Sequence, residues 1–338
     1  MAISLLFGCC QIETCTSDLS ATRDYLAGLL GATPVEQKLA RQIAALLPGT
    51  GYDVDHLECG GAVFQINQPA QGMEFAGQKS VHQAYLEIGG PCVTNLNFYV
   101  DDIFHARDLL TGMGAPVHLE GPSMAARALG DYGPGNTRPG AEARPFLFMG
   151  TRHLIGFDLE IMEPNFLHVS EQSAQFPAYL APRPASSSDL LLHRLVVVVA
   201  NIGVTWDAIT RIFAPASRSK PYDLRDCKEG RSFRIGLGGM EIEYCQPRNE
   251  RGSLAMFLGE HGPGPSAIVF GSSQLQDRLA EEERWQPVPA KTSEAIVGLT
   301  EGASRYYAHS RDVVGFDIVI EPTETGPGSA RLASEINR

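Results

Sequence analysis

The sequence lacks a basic surplus. Its 27 Lys+Arg residues face 39 Asp+Glu, giving a formal net charge of −12 and a pI near 5.2. That excludes nonspecific nucleic-acid binding, which needs a basic face, but still admits a small anion held by a local arginine cluster. No apolar run reaches a membrane span, since Leu190 to Ala200 is broken by His193 and Arg194. Met1 to Phe7 carries neither a basic region nor a long apolar core, so it reads as the approach to a first strand rather than a signal peptide. Cysteine is sparse: Cys9, Cys10, Cys15, Cys59, Cys92, Cys227 and Cys245 make an odd number without metal-finger spacing. Reduced thiols in a cytoplasmic protein are the expectation. Gly133-Pro134-Gly135 lacks the lysine and helix of a phosphate-binding loop. There is no dinucleotide fingerprint and no Ser-His-Asp order.

What is present is a repeat. Ile155-Gly156-Phe157-Asp158-Leu159-Glu160-Ile161-Met162-Glu163-Pro164 returns as Val314-Gly315-Phe316-Asp317-Ile318-Val319-Ile320-Glu321-Pro322. Gly60-Gly61 with the strand to Pro69 parallels Gly238-Gly239 with the strand to Pro247. Leu86 to Pro91, with Phe98 beyond, parallels Leu258 to Pro263, with Phe270 beyond. Asp18 to Leu26 parallels Asn201 to Ile209. The copies differ where chemistry would sit, because Glu160 is matched by Val319.

A chain of 338 residues with 43% hydrophobic and 20% charged residues suits two globular domains. We place a first domain over residues 1–168, a linker over 169–188, a second domain over 189–322 and a tail over 323–338. Strands are expected at Cys9–Thr16, His56–Gly60, Ala62–Asn67, Val93–Val100, Pro116–Glu120, Phe146–Met149, Phe157–Met162 and Leu190–Val199. Helices are expected from Ser17-Asp18 to Leu30, over Val35–Leu47, and from Asp101-Asp102 to the Gly112/Gly114 stop. Gly121 to Arg144, rich in Gly, Pro and Arg, reads as a long loop of the functional kind.

A strand, a helix opened by Asp-Leu or Asp-Ile, then strands closing on Gly-aromatic-x-x-Glu resembles the vicinal oxygen chelate superfamily. That family includes glyoxalase I, methylmalonyl-CoA epimerase, extradiol dioxygenases and bleomycin-resistance proteins. The resemblance covers residues 5–322. It implies an α+β fold of four βαβββ modules, paired into two tandem glyoxalase-like domains that enclose ligand pockets. It also implies where ligands sit: seven residues before the helix-start aspartate, and on the last strand. Those positions are Gln11, Asn95, Gln65 and Glu160 in the first domain, with Glu87 an alternative should the first module extend that far. In the second domain they are Arg194 beside His193, Glu243, Ala267 and Val319. An extradiol iron site needs two histidines and a glutamate there, and Ala267 and Val319 cannot supply ligands.

On this reading Glu160 is the catalytic base or a metal ligand, with Gln11 as its companion ligand. Strand alternation puts Asp158, Glu160 and Met162 on one face, and a carboxylate facing a pocket gains affinity for protons. Gln11, Gln65 and Asn95 bind substrate; Arg144 and Arg152, with Arg127 and Arg138 in the long loop, suit a carboxylate or phosphate. His193 and Glu243 are the second-domain candidates, a residual polar pair. The implied activity is isomerisation, epimerisation or lyase chemistry on a small carbonyl or carboxylate compound. A divalent ion (Zn, Ni, Mn or Fe) is the implied cofactor, although amide oxygens are weak ligands for it. The alternatives are a metal-free protein that sequesters a small molecule, and a dioxygenase with a rearranged iron site. The expected partner is a small-molecule substrate, with neither nucleic acid nor membrane; a homodimer is compatible.

Overall fold

The computed structural model describes residues 2–5, 9, 11–35, 52–70, 74–75, 78–120, 146–162, 189–213, 224–227, 230–238, 240–281, 283–287, 306–308 and 310–323. The helix expected at 35–47 (Val35 apart), the loop 121–144 with Arg127, Arg138 and Arg144, the linker at 169–188 and the tail beyond Thr323 lie outside them.

Four units follow one another. The first is β1 (Gln11–Cys15), α1 (Leu19–Leu30), β2 (Thr33–Pro34), β3 (Tyr52–Cys59) and β4 (Ala62–Pro69). A short hairpin, β5 (Glu74–Phe75) with β6 (Gln78–Lys79), and α2 (Val81–Gly89) lead onward. The second unit is β7 (Cys92–Tyr99), α3 (Ile103–Gly112), β8 (Val117–Glu120), β9 (Phe146–Met149), α4 (Arg152–Ile155) and β10 (Asp158–Met162). The third is β11 (Leu190–Val198), α5 (Ile202–Phe213), β12 (Arg225–Cys227), β13 (Gly230–Leu237) and β14 (Met240–Pro247), followed by α6 (Ser253–His261). The fourth is β15 (Gly264–Ser272), α7 (Leu275–Glu281), β16 (Gln286–Pro287), β17 (Tyr306–Ala308), α8 (Arg311–Val314) and β18 (Asp317–Pro322).

Two eight-stranded sheets result, ordered β2-β3-β4-β1-β7-β10-β9-β8 and β12-β13-β14-β11-β15-β18-β17-β16. Each joins two units through their first strands, antiparallel β1/β7 and β11/β15. This is the expected α+β arrangement in two tandem copies. Among the described residues no helix is long and apolar enough to cross a membrane.

Local chemistry sets the boundaries. Asp18 and Asp102 cap α1 and α3, accepting the backbone N–H of Ala21 at 2.9 Å and of His105 at 2.9 Å. Gly31 ends α1 in the left-handed region at φ 66°. The stretch around Ala84–Gly89 is helix, so Glu87, the alternative position, is not a last-strand carboxylate. It is exposed on α2 and accepts from Gln83 Nε2 at 3.1 Å.

The two halves interlock reciprocally. Leu192 N–H donates to Gly60 O at 2.8 Å, and Cys9 N–H to Gly238 O at 2.6 Å. A Cβ on Gly60 would meet Phe270, and one on Gly238 would meet Phe98. Helix α1 packs on α8 and α5 on α4, with Thr22 Oγ1 donating to Val313 O at 2.8 Å. Phe64 lies 6.2 Å from Phe316, centroid to centroid. One apolar core therefore runs through both halves, taking Ile12, Phe64, Leu96, Phe98 and Leu159 from one sheet and Leu195, Val197, Phe270 and Ile318 from the other. Each such side chain, fully buried, contributes roughly 1.5–3 kcal/mol. The glycine that opens both repeated closing strands is explained here. Gly156 and Gly315 adopt φ 83° and 88°, and a Cβ would lie 2.3 Å from Val197 Cγ1 in one case and from Cys92 backbone in the other.

Candidate functional site

Strand alternation turns apolar side chains toward the shared core and leaves the opposite face of the first sheet polar. Across β4, β1, β7 and β10 that face carries Gln65 and Asn67, Gln11 and Glu13, Asn95 and Asn97, Asp158 and Glu160. Register fixes the neighbours: Glu13 lies opposite Gln65 on one side and Asn95 on the other, and Glu160 opposite Asn97. Four residues singled out from the sequence, Gln11, Gln65, Asn95 and Glu160, are thus brought onto one surface. Sequence reasoning misses three others, Glu13, Asn67 and Asn97. The available signal is period two: each stands two residues from a residue already chosen.

These side chains form a continuous hydrogen-bonded array. His56 Nε2 meets Gln65 Oε1 at 3.0 Å, Gln65 Nε2 donates to Asn67 Oδ1 at 3.2 Å, and Asn67 Nδ2 to Glu13 Oε2 at 3.1 Å. Asn97 Nδ2 donates to Glu13 Oε1 and Gln11 Oε1, both at 2.8 Å. Asn95 Nδ2 donates to Asn97 Oδ1 at 2.8 Å and Glu160 Oε2 at 3.3 Å. Helix α2 lies against β1, β4 and β7 and lowers His82 toward Glu13, Nε2 to Oε2 3.7 Å. Glu13 is 3% exposed, whereas Glu160 stays partly open.

The two glutamates hydrogen-bond to each other, and their environments split their proton affinities. Burial and the adjacent Glu13 charge push Glu160 well above the ordinary carboxylate range. Burial also raises Glu13, but the nearby His82, Glu160 and the Asn97 amide together outweigh it and hold Glu13 below that range. The pair is thus unequal, with Glu160 holding a proton more tightly than Glu13.

The array does not fit a divalent ion. Gln11 Oε1 is committed to Asn97, Asn95 Oδ1 accepts from Thr94 Oγ1 at 2.6 Å, and Glu160 is bonded to Glu13 and Asn95. Among the described residues, no three His, Cys, Asp or Glu side chains converge as a metal site. Glu160 and Gln11 both belong to the array, each hydrogen-bonded within it, and Glu160 adjoins Glu13.

Arg152 stands apart from the array. Its guanidinium donates to Val93 O at 2.5 Å and Thr94 O at 3.3 Å through Nη2, and to Pro263 O at 3.3 Å through Nη1. It also stacks over Tyr85 at 4.5 Å. Arg144 lies outside the described residues.

The second sheet shows the same positions emptied of this chemistry. By register Val196 replaces Glu13, Ala267 replaces Asn95, Val269 replaces Asn97, Cys245 replaces Asn67 and Val319 replaces Glu160. Val196, Val198, Cys245, Ala267, Val269 and Val319 pack together as an apolar cluster. The remaining charges neutralise one another. Arg194 reaches Glu321 at 2.7 Å and Glu243 at 3.0 Å, and Arg234 reaches Glu243 at 3.1 Å. His193 and Glu243 do not pair with each other: His193 Nδ1 meets Glu321 Oε1 at 3.0 Å, from a residue beside a register shift in β11.

No family profile and no curated protein matches this sequence. Solved structures do match. A triple mutant of 4-hydroxymandelate synthase from Streptomyces coelicolor aligns over 98% of this chain and 98% of its own, at TM-score 0.59 and 14% identity. A Mn(II)-bound glyoxalase from Novosphingobium aromaticivorans covers 94% of this chain and 83% of its own, at TM-score 0.49 and 10% identity. An extradiol ring-cleaving dioxygenase from B. fuscum covers 97% and 74%, at 0.49 and 11%. At 14% identity what the chain shares with the synthase is architecture. The chain has the fold of the vicinal oxygen chelate superfamily, in its tandem form of two domains and four modules.

Proposed function

We propose that the polar face of the first sheet is a metal-independent proton-transfer site, isomerising, epimerising or eliminating from a small carbonyl compound. The observation that carries this reading is the Glu13–Glu160 pair, in which environment alone separates an acid from a base. Glu160, the partly open member, takes the substrate's α-proton at its carboxylate oxygen when ionised and returns it from the same carboxyl, its raised proton affinity making it the stronger base of the two. Glu13 stays charged beneath it and sets how tightly that proton is held. Gln11 accepts through Oε1 and keeps its amide N–H₂ to orient a carbonyl oxygen. A neutral carbonyl is favoured over a carboxylate because no arginine or lysine among the described residues joins the array, Arg152 being spent on backbone carbonyls.

The test uses α-proton exchange in D₂O, followed by NMR, over a panel of small aldehydes, ketones and hydroxyketones. The wild-type chain should wash deuterium into at least one, and Glu160→Gln should slow exchange by about 10²- to 10⁴-fold with binding retained. A second reading, a metal-free binding protein, is favoured by one observation: the amides satisfy one another and form a rigid recognition surface. Unchanged exchange in Glu160→Gln, alongside unchanged binding, would select it.

A further inference from the structure

The first sheet holds one more chemical group, at the edge of the same face. Cys15 and Cys92 stand directly opposite each other on antiparallel β1 and β7, with Sγ atoms 3.5 Å apart. Their meeting depends on an irregularity. The β1/β7 register shifts between Glu13 and Thr14, so that Glu13 faces Asn95 while Cys15 faces Cys92 and Thr94 is the extra residue. Without that shift Cys15 would oppose Val93 rather than Cys92. The second sheet keeps the shift but not the thiols, having Val198 opposite Gly264.

We propose that Cys15 and Cys92 are a redox-active dithiol, which a hydroperoxide converts to a cross-strand disulfide joining the first strands of the two modules beside the Glu13–Glu160 face. Directly opposed residues of antiparallel strands have Cα separations of about 4.5–5.5 Å, within the range a disulfide spans. The sulfurs, already in contact, reach bonding distance by side-chain rotation.

The two thiols are also differentiated. Cys15 is fully buried and Cys92 partly exposed. Cys92 is held below the ordinary thiol value, first by the hydrogen bond from Cys15 and then, against burial, by the neighbouring Arg152 charge. Burial and Cys92 keep the Cys15 proton in place. Cys92 is therefore the attacking sulfur. Its thiolate takes the distal peroxide oxygen, the O–O bond breaks, and the alcohol or water departs with a proton, leaving a sulfenic acid. Cys15 sulfur then attacks Cys92 sulfur, the S–O bond breaks, and the Cys15 proton leaves with the hydroxide as water. Two thiols lose two electrons and the peroxide gains them.

The experiment treats the reduced full-length chain with hydrogen peroxide at neutral pH and maps its thiols by mass spectrometry without reductant. The expected product is a Cys15–Cys92 cross-linked peptide lighter by two hydrogens, reversed by dithiothreitol, with the oxidised chain melting about 5 °C higher. In Cys15→Ser oxidation should stop at a Cys92 sulfenic acid captured by dimedone, and in Cys92→Ser the Cys15 thiol should stay intact. Recovery of both cysteines as free thiols from the wild-type chain, or linkage of either to another cysteine, overturns the proposal, and neither result depends on the variants folding.

Discussion

Glu160 and Glu13 make opposite contributions to stability as pH changes. A carboxyl with raised proton affinity in the fold costs nothing at pH values below its ordinary one, because it is neutral in both states. As pH rises through its folded value the unfolded chain gains by ionising, and stability is lost. Glu13, with lowered affinity, stabilises above the ordinary carboxylate value, and that contribution disappears as pH falls through its folded value. Glu160→Gln should accordingly stabilise the protein on the alkaline side and leave acid stability nearly unchanged. Urea unfolding at pH 5 and pH 9 measures both. Asn97→Asp should do the reverse: a third carboxylate would replace the amide that donates to Glu13 and Gln11, destabilising by about 2–4 kcal/mol. The same urea curves at neutral pH would read it.

Several of these groups are legible in the sequence alone. Counting back from Asp18 and Asp102 reaches Gln11 and Asn95, and the closing strands supply Gln65 and Glu160; all four share the array. Glu13 escapes because a family spacing selects one residue per strand, whereas a sheet face is populated by every second residue. Cys92 is hidden for a different reason. Its opposition to Cys15 requires the extra residue at Thr94, and a register shift leaves no mark in a sequence. The conversion of Arg152 from a ligand candidate into a clamp on Val93, Thr94 and Pro263 depends on a contact between halves 111 residues apart, equally invisible there.

Helix ends are the most readable elements, since a side chain and its own backbone decide them. Asp18→Ala and Asp102→Ala should each cost about 1 kcal/mol, checked by thermal or urea unfolding. Helix α2 is harder. Gly89-Gly90-Pro91 reads as the end of a strand, yet Val81, Ala84, Tyr85 and Ile88 stand at helical spacing. Its placement over the polar face brings His82 to Glu13 and lets Tyr85 donate to Asp158, so the helix belongs to the site. A register shift next to the array, in β1/β7, sets Cys15 against Cys92 just beyond the Glu13–Asn95 pair; in β11/β15 the equivalent shift sets Val198 against Gly264.

Across the molecule, one repeat has kept its polar face and the other has traded it for valine, alanine and cysteine. The repeated sequence shows the duplication and the Glu160/Val319 divergence, but not that the halves share a core. That core makes glycine at 156 and 315 indispensable. Gly315→Ala should destabilise by at least about 1–3 kcal/mol, because the new methyl meets Cys92 backbone and the residue must hold a left-handed conformation. Differential scanning calorimetry should show the loss in a single transition, since both sheets draw on one core.

The reciprocal contacts, Leu192 with Gly60 and Cys9 with Gly238, obey the rule of a two-fold dimer, in which each surface meets its own counterpart. One polypeptide here supplies both sides of a two-fold contact. The pseudo-symmetric surface is occupied from within. The two copies, tied covalently at a one-to-one ratio, are free to specialise: one sheet can give up its polar array for packing while the other keeps it, with no loss of the partner it folds against.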